Sequence, residues 1–258
     1  MSDSGVEVHV DDGIGFVRLS RAARRNAMGL EFMQTLEATI DDLAADASVR
    51  VLVVEADGPA FSAGHDIAEM LDRDERYYVE LFNRCSMLMR ALRHAPQPVI
   101  AKVDGVATAA GCQLVAGCDL AVASDRSKFA TPGVRIGLFC STPMVPVSRA
   151  IGMKRALEML LTGEPIDAQT ALEWGLVNRV VPAGQLDAAV VALAGQIMQF
   201  SADTLALGKR AFYEQLGLDE PAAYSAMTSV MVENALQPVA REGMHAFVEK
   251  RPPVWPRP

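Results

Sequence analysis

Two turns in this sequence match each other. After the run VLVVEA comes Asp57-Gly58-Pro-Ala-Phe-Ser-Ala63-Gly64, and after PVIAKV comes Asp104-Gly105-Val-Ala-Thr-Ala-Ala110-Gly111. Both read strand, Asp-Gly, four residues, Ala-Gly, with a helical pattern next, and Asp57 and Asp104 are 47 positions apart. A recurrence at this period indicates a repeated strand–turn–helix unit. A turn of small residues that opens a helix leaves backbone N–H groups unpaired, and the helix dipole favours negative charge there. Two such turns from neighbouring units can aim two N–H groups at one oxygen, the arrangement that stabilises charge developing on a carbonyl. Asp-Gly and Ala-Gly are also ordinary turn and close-packing signals. The shared spacing and the shared preceding strand bring the two readings level, and composition alone goes no further.

The rest of the chain is compatible with such units. Residues 6–10 (VEVHV) and 16–20 (FVRLS), separated by Asp-Asp-Gly-Ile-Gly, read as a hairpin. Leu30, Met33, Leu36, Ile40 and Leu43 recur at helical spacing and predict an amphipathic helix over 29–46. The β-branched run at 49–56 predicts a strand covered on both faces. Residues 75–94 are helical by pattern and are stopped by Pro96 and Pro98, and 98–103 and 119–124 are two further strands. From Met153 the chain becomes helix after helix, interrupted at 174–182, up to the Pro-rich end RPPVWPRP. This order predicts an α/β core over 1–200 and a helical C-terminal part over 201–258.

Composition limits the partners. At 258 residues and 50% hydrophobic, the chain can bury a full core. Its 24 basic and 32 acidic residues give a net charge of −8, which argues against a nucleic-acid or anionic-membrane surface. The N-terminus MSDSGVEVHVDDG has neither the order of a signal peptide nor the Arg-rich character of a transit peptide, so a cytoplasmic protein is expected. Uncharged runs such as 105–118 are too short and too Gly-rich to span a bilayer, so no membrane is expected as a partner. Cys85, Cys112, Cys118 and Cys140 form no Cys-x-x-Cys pair and have no His nearby in sequence, so no metal site is expected.

Four segments carry a resemblance to a known family: 60–70 (AFSAGHDIAEM), 103–124 (VDGVATAAGCQLVAGCDLAVAS), 161–182 (LTGEPIDAQTALEWGLVNRVVP) and 242–255 (EGMHAFVEKRPPVW). Together they resemble the crotonase, or enoyl-CoA hydratase/isomerase, superfamily over nearly the whole chain. Through AAGCQLVAGCD and FATPGVRIGLFCSTP (129–143), the sequence is most similar to the enoyl-CoA hydratase domain-containing protein 3 subgroup. The resemblance implies an α/β, ClpP-like spiral of ββα units with a C-terminal helical region that builds a homotrimer or a dimer of trimers. It also implies an acyl-CoA thioester as substrate or ligand, with no further cofactor.

Residue by residue, the resemblance places the oxyanion N–H groups on Ala63 and Ala110, the ends of the two matching turns. It places the CoA path along Phe61, Ala63, Asp66 and Ile67. A basic residue for the CoA phosphates falls to Arg24 or Arg25, because the family's usual position is Ala23 here. Phe247 and Lys250 match a C-terminal pair that reaches a neighbouring subunit's CoA. The two glutamates that hydratases use as acid and base fall on Gln113 and Gly133, neither of which exchanges a proton near neutral pH. Positioned acid–base groups are worth ~10²–10⁴-fold each, so the resemblance implies weak or non-standard hydratase activity, or a non-catalytic acyl-CoA binder. Other branches of the superfamily keep a carboxylate at the position of Ser141, which makes Cys140 and Ser141 candidate pocket residues, and His65 is the one histidine near the expected site. Ser62, His65 and Asp66 lie too close along one turn to converge as a hydrolase triad, and there is no Gly-x-Ser-x-Gly elbow.

Overall fold

The computed structural model describes residues 5–255. Residues 1–4, the start of the N-terminal stretch MSDSGVEVHVDDG, and the last three residues of the Pro-rich end lie outside the described part.

The first sheet is built from β1 (Val6–Asp11), β2 (Ile14–Leu19), β3 (Val51–Ala56), β5 (Val99–Val103), β7 (Leu120–Ser124) and β10 (Arg179–Val181), in that spatial order. β1 and β2 form an antiparallel hairpin, and every later neighbour is parallel. The β3 run is apolar from Val51 to Val54 because both of its faces are covered, and Glu55 follows as a buried carboxylate paired with Arg18 and Lys102. Leu52 and Val54 pack towards α1 (Leu30–Ala45) and α3 (Glu75–His94), while Val51 and Val53 pack towards α8 (Leu186–Met198). On α1 the helical-period residues Met33, Leu36, Ile40 and Leu43 are buried as their spacing predicts.

A second, smaller sheet brings the two matching turns together. It orders β4 (Ala60–Ser62), β6 (Val106–Thr108), β8 (Lys128–Ala130) and β9 (Ile166–Asp167), the first three parallel. The four residues between Asp-Gly and Ala-Gly in each matching turn therefore hold a short strand, which the sequence reading took as turn. Each unit is strand, Asp-Gly, strand, Ala-Gly, helix. The helices are α2 (Ile67–Met70) in the first unit and α4 (Ala110–Gly117) in the second. Pairing β4 to β6 brings the two Ala-Gly ends together.

Helices α5 (Met144–Ile151), α6 (Met153–Thr162) and α7 (Ala168–Trp174) follow the second sheet. The chain ends in α9 (Ala202–Gln215), α10 (Glu220–Leu236) and α11 (Pro238–Glu249). α9 is held to the core by a buried polar latch. Lys209 Nζ donates to the carbonyls of Leu92 and Gln97, each at 2.9 Å, and pairs with Asp119 at 2.7 Å. Tyr213 donates to the other Asp119 oxygen at 2.7 Å. In contrast, α10 buries none of its residues and leaves Tyr224, Met231 and Leu236 exposed. No single helix among the described residues is long and apolar enough to cross a membrane.

Candidate active site

The first turn is shaped by the loop that precedes α1. Asn26 is fully buried, and its Nδ2 donates to the carbonyls of Asp57 and Ala60, both at 2.9 Å. It does so from φ +51°, a conformation asparagine tolerates better than most residues. Ser62 Oγ donates to the Asn26 carbonyl at 2.8 Å, Met28 N–H to Gly64 at 2.7 Å, and Asp66 N–H to Met28 at 3.2 Å. Ala63 N–H donates to the Arg25 carbonyl at 2.9 Å. The expectation that Ala63 supplies an oxyanion donor is therefore corrected, because that hydrogen is already held inside the fold. The N–H that this turn leaves without a partner is the one two residues later, on His65.

The second turn has a different support. Ala109 N–H donates to the Ala130 carbonyl at 2.9 Å, and Ala109 sits at φ +50°, ψ −118°, a region that costs a non-glycine residue on the order of 1–3 kcal/mol. That geometry starts α4 at Ala110, whose N–H, in the first helical turn, has no partner in the chain. Thr108 Oγ1 ties the turns together by donating to Ala63 O at 3.1 Å. Contact is so close that only glycine fits at two points. A Cβ on Gly64 (φ +89°) would stand 2.8 Å from Ala109 Cβ and 3.1 Å from Ala110 N, and one on Gly111 would collide with the Ser62 carbonyl. The two turns that carry the His65 and Ala110 N–H groups are thereby packed against each other through backbone.

A pocket of about 480 Å³ opens over these turns. Ala63, Ala109 and Ala110 line its base, with His65, Ile67 and Phe82 on one side and the segment from Pro132 to Pro143 on the other. Its lining is mainly apolar, and no carboxylate belongs to it. The His65 ring is set by Nδ1, 3.3 Å from the Met28 carbonyl. A carbonyl only accepts, so Nδ1 carries the hydrogen and Nε2 the lone pair. Nε2 is buried without a partner. Burial pushes the imidazole below the usual histidine range, with the Met28 contact acting in the opposite direction.

The two positions expected to have lost a glutamate differ. Gln113, on α4, is 3% exposed and takes the Cys85 thiol on its Oε1 at 3.6 Å. It is a core residue and does not line the pocket. Gly133 does line the pocket, but a Cβ there would run into the Leu138 carbonyl and come within 2.8 Å of Cys140 Sγ. The chain has closed over that space as well as losing the carboxylate. Cys140 and Ser141 both line the pocket. Burial raises the Cys140 thiol, with a Gly133 backbone hydrogen bond opposing it, and Ser141 Oγ reaches only the Phe139 carbonyl, at 3.4 Å.

The expected CoA residues separate into three groups. Ala63 and Ile67 line the pocket. Phe61 is 0% exposed in the core, so its place along the ligand path is corrected. Asp66 is buried and paired with Arg24 at 2.6 Å, and Arg24 also meets Glu69 at 3.8 Å, whereas Arg25 is exposed and forms no ion pair. Phe247 is 85% exposed, and Lys250 caps α11 at φ +55°; neither lines the pocket of its own chain. Reading the sequence alone missed Asn26, the His65 N–H and Phe82. Asn26 could have been flagged as a residue that tolerates positive φ next to Ala-Met, whereas Phe82 has the same helical spacing as a core residue.

The family model described as enoyl-CoA hydratase/isomerase matches residues 9–258. The mouse (Mus musculus) protein named enoyl-CoA hydratase domain-containing protein 3, mitochondrial, is 49% identical over 245 residues, covering 95% of this chain and 82% of its own length. Its human counterpart is 47% identical, with 95% and 81% covered. Among solved structures, the human enoyl Coenzyme A hydratase domain-containing protein 3 superposes with a TM-score of 0.94 at 46% identity, over 97% of this chain and 100% of that one. An enoyl-CoA hydratase from Mycobacterium smegmatis gives 0.95 at 44% identity, over 97% and 98%. The expectation of a cytoplasmic protein is overturned by the word mitochondrial in the names of the mouse and human relatives.

Proposed function

Because the chain belongs to the enoyl-CoA hydratase/isomerase family, we propose that its pocket holds an acyl-CoA thioester with the carbonyl oxygen between the N–H groups of His65 and Ala110. The observation that carries this reading is a pair of N–H groups, on two closely packed turns that both line the pocket, that have no partner among the described residues. Both are fixed before any ligand arrives, so they stabilise negative charge on that oxygen without reorganising. An enolate or a polarised enoyl thioester is the species that this arrangement favours.

Hydration needs more. Water must be activated on one side of the double bond and the α-carbon protonated on the other, and the family supplies two glutamates for that work. In this chain Gln113 faces the core and Gly133 is overlaid by its own loop. We therefore assign thioester binding and enolate stabilisation to this site, with hydration at rates well below those of a hydratase. Arg25 is assigned to the CoA phosphates, because Arg24 is engaged by Asp66 and Glu69. The exposed apolar residues of α10, and Phe247 and Lys250 beyond it, support assembly with further copies of the chain.

The test compares butyryl-CoA binding by calorimetry with crotonyl-CoA hydration. Binding with hydration absent or slow supports the assignment. Hydration at ordinary hydratase rates overturns the loss of proton transfer, and absence of binding overturns the site.

A further inference from the structure

We infer that the His65 imidazole is the proton acceptor of this pocket, removing a proton from the α-carbon of a bound saturated acyl-CoA. The inference rests on the thioester reading above and assigns the chemistry that the two absent glutamates leave open.

Geometry restricts the choice. Among the pocket-lining residues, the side chains able to titrate or carry charge are His65, Arg135 and Cys140. Arg135 is a cation paired with Glu164. Cys140 is a thiol whose ionisation burial disfavours. Ser141 has no base beside it. His65 alone presents a nitrogen lone pair. The Met28 carbonyl holds Nδ1–H, which fixes the tautomer and orients the ring, and the same contact stabilises the imidazolium once Nε2 has taken a proton.

An orphaned buried nitrogen also calls for an explanation in its own right. Leaving a buried acceptor unpaired costs on the order of 1–3 kcal/mol, and no hydrogen bond or water-facing contact offsets it at Nε2. A lone pair left without a partner in the free protein is available to a proton of the ligand. The Phe82 and His65 rings meet at a T-shaped angle, 5.5 Å between centroids, and both line the pocket that an acyl chain would enter.

The step balances without any co-reactant. The α C–H bond breaks, the proton passes to Nε2, the C–H electron pair becomes the carbon–carbon π bond of the enolate, and the carbonyl π pair moves onto the thioester oxygen held by the two N–H groups. The imidazolium exchanges its hydrogen with solvent and returns it to carbon. Desolvation keeps the free imidazole neutral at physiological pH, the form this step requires. On the elements packed around it, the titratable or charged groups are Asp66 held by Arg24, Glu69, Arg135 held by Glu164, Tyr78 bonded to the Met70 carbonyl, Cys85 bonded to Gln113, and Cys140.

The experiment follows exchange of the α-protons of butyryl-CoA in D₂O by NMR, with binding measured in parallel. Wild type should exchange, with a rate that rises with pH through the histidine titration. His65→Gln keeps the backbone N–H, so binding should stay within about threefold, while exchange falls on the order of 10²-fold or more and its acid limb disappears. Added imidazole should partly rescue His65→Ala, which a purely structural role would not give. Exchange by His65→Gln at the wild-type rate, an acid limb that persists in it, or a wild type that binds without exchanging would each overturn the base. A wild type that does not bind butyryl-CoA would overturn the thioester reading beneath it.

Discussion

The two matching turns share a sequence pattern and a strand pairing, yet they deliver their N–H groups from different places. In the second turn the N–H without a partner among the described residues is that of Ala110, the alanine of the Ala-Gly pair. In the first, the equivalent Ala63 is tied to Arg25, and the N–H left without a partner is that of His65, on the far side of the glycine. The cause is what packs behind each turn. Behind the first lies a loop whose carbonyls need partners, and Asn26 anchors it. The second turn is tied to β8 one residue earlier, through Ala109, so Ala110 stays free at the start of its helix. Equivalent motifs thus give non-equivalent donors, because a buried carbonyl takes whichever N–H its loop reaches.

The comparison can be broken most severely at the contact between the turns. Gly111→Val drives a side chain into the Ser62 carbonyl. Such overpacking costs about 3 kcal/mol, which for a chain of this size is a drop in Tm of roughly 10 °C. A thermal melt checks it, and an unchanged Tm would refute the close approach. Next come the donors themselves. Ala110→Pro removes one N–H at a helix start, where proline is tolerated, and should slow α-proton exchange on the order of 10²–10³-fold with the fold intact. Ala63→Pro instead breaks the bond to Arg25, so its main effect should be a lower Tm.

Asn26→Ala separates support from chemistry. It removes both Nδ2 hydrogen bonds and leaves the buried carbonyl of Ala60 and the more exposed one of Asp57 without that donor. About 1–3 kcal/mol of stability should be lost, readable as a shift in urea midpoint. Gln113→Glu should gain no crotonyl-CoA hydration, because the side chain faces Cys85 in the core. A gain would show that Gln113 reaches the pocket after all.

The smallest effect is on pH. His65 has its folded pKa below the unfolded value, so in the window between them the unfolded chain binds more protons and stability rises with pH. That stability is complete above the unfolded histidine pKa and is lost as pH falls through the window. His65→Gln should flatten this part of a Tm-against-pH curve.

Much of this was legible in the sequence, for physical reasons that differ by element. The hairpin, α1, β3 and α3 were legible because burial on one or two faces imposes a period on the residues. β4 and β6 were not, since three-residue strands such as Ala60–Ser62 have no room for a period. The site was half legible. Ala110 follows from a small-residue helix start, whereas the donor role of His65 depends on a hydrogen bond to Arg25 from a loop some forty residues earlier, which no local pattern records. Gln113 and Gly133 could be read as missing carboxylates. That one faces the core and the other is covered by Leu138 required the packed chain.

The central claim is that the His65 and Ala110 N–H groups polarise a bound thioester. The direct measurement is the ¹³C shift of [1-¹³C]butyryl-CoA on binding to wild type, His65→Gln and Ala110→Pro. A downfield carbonyl shift in wild type and His65→Gln, lost in an Ala110→Pro variant that still binds, is the result predicted. A carbonyl that keeps its free-solution shift in bound wild type, or the full shift in Ala110→Pro, would contradict it.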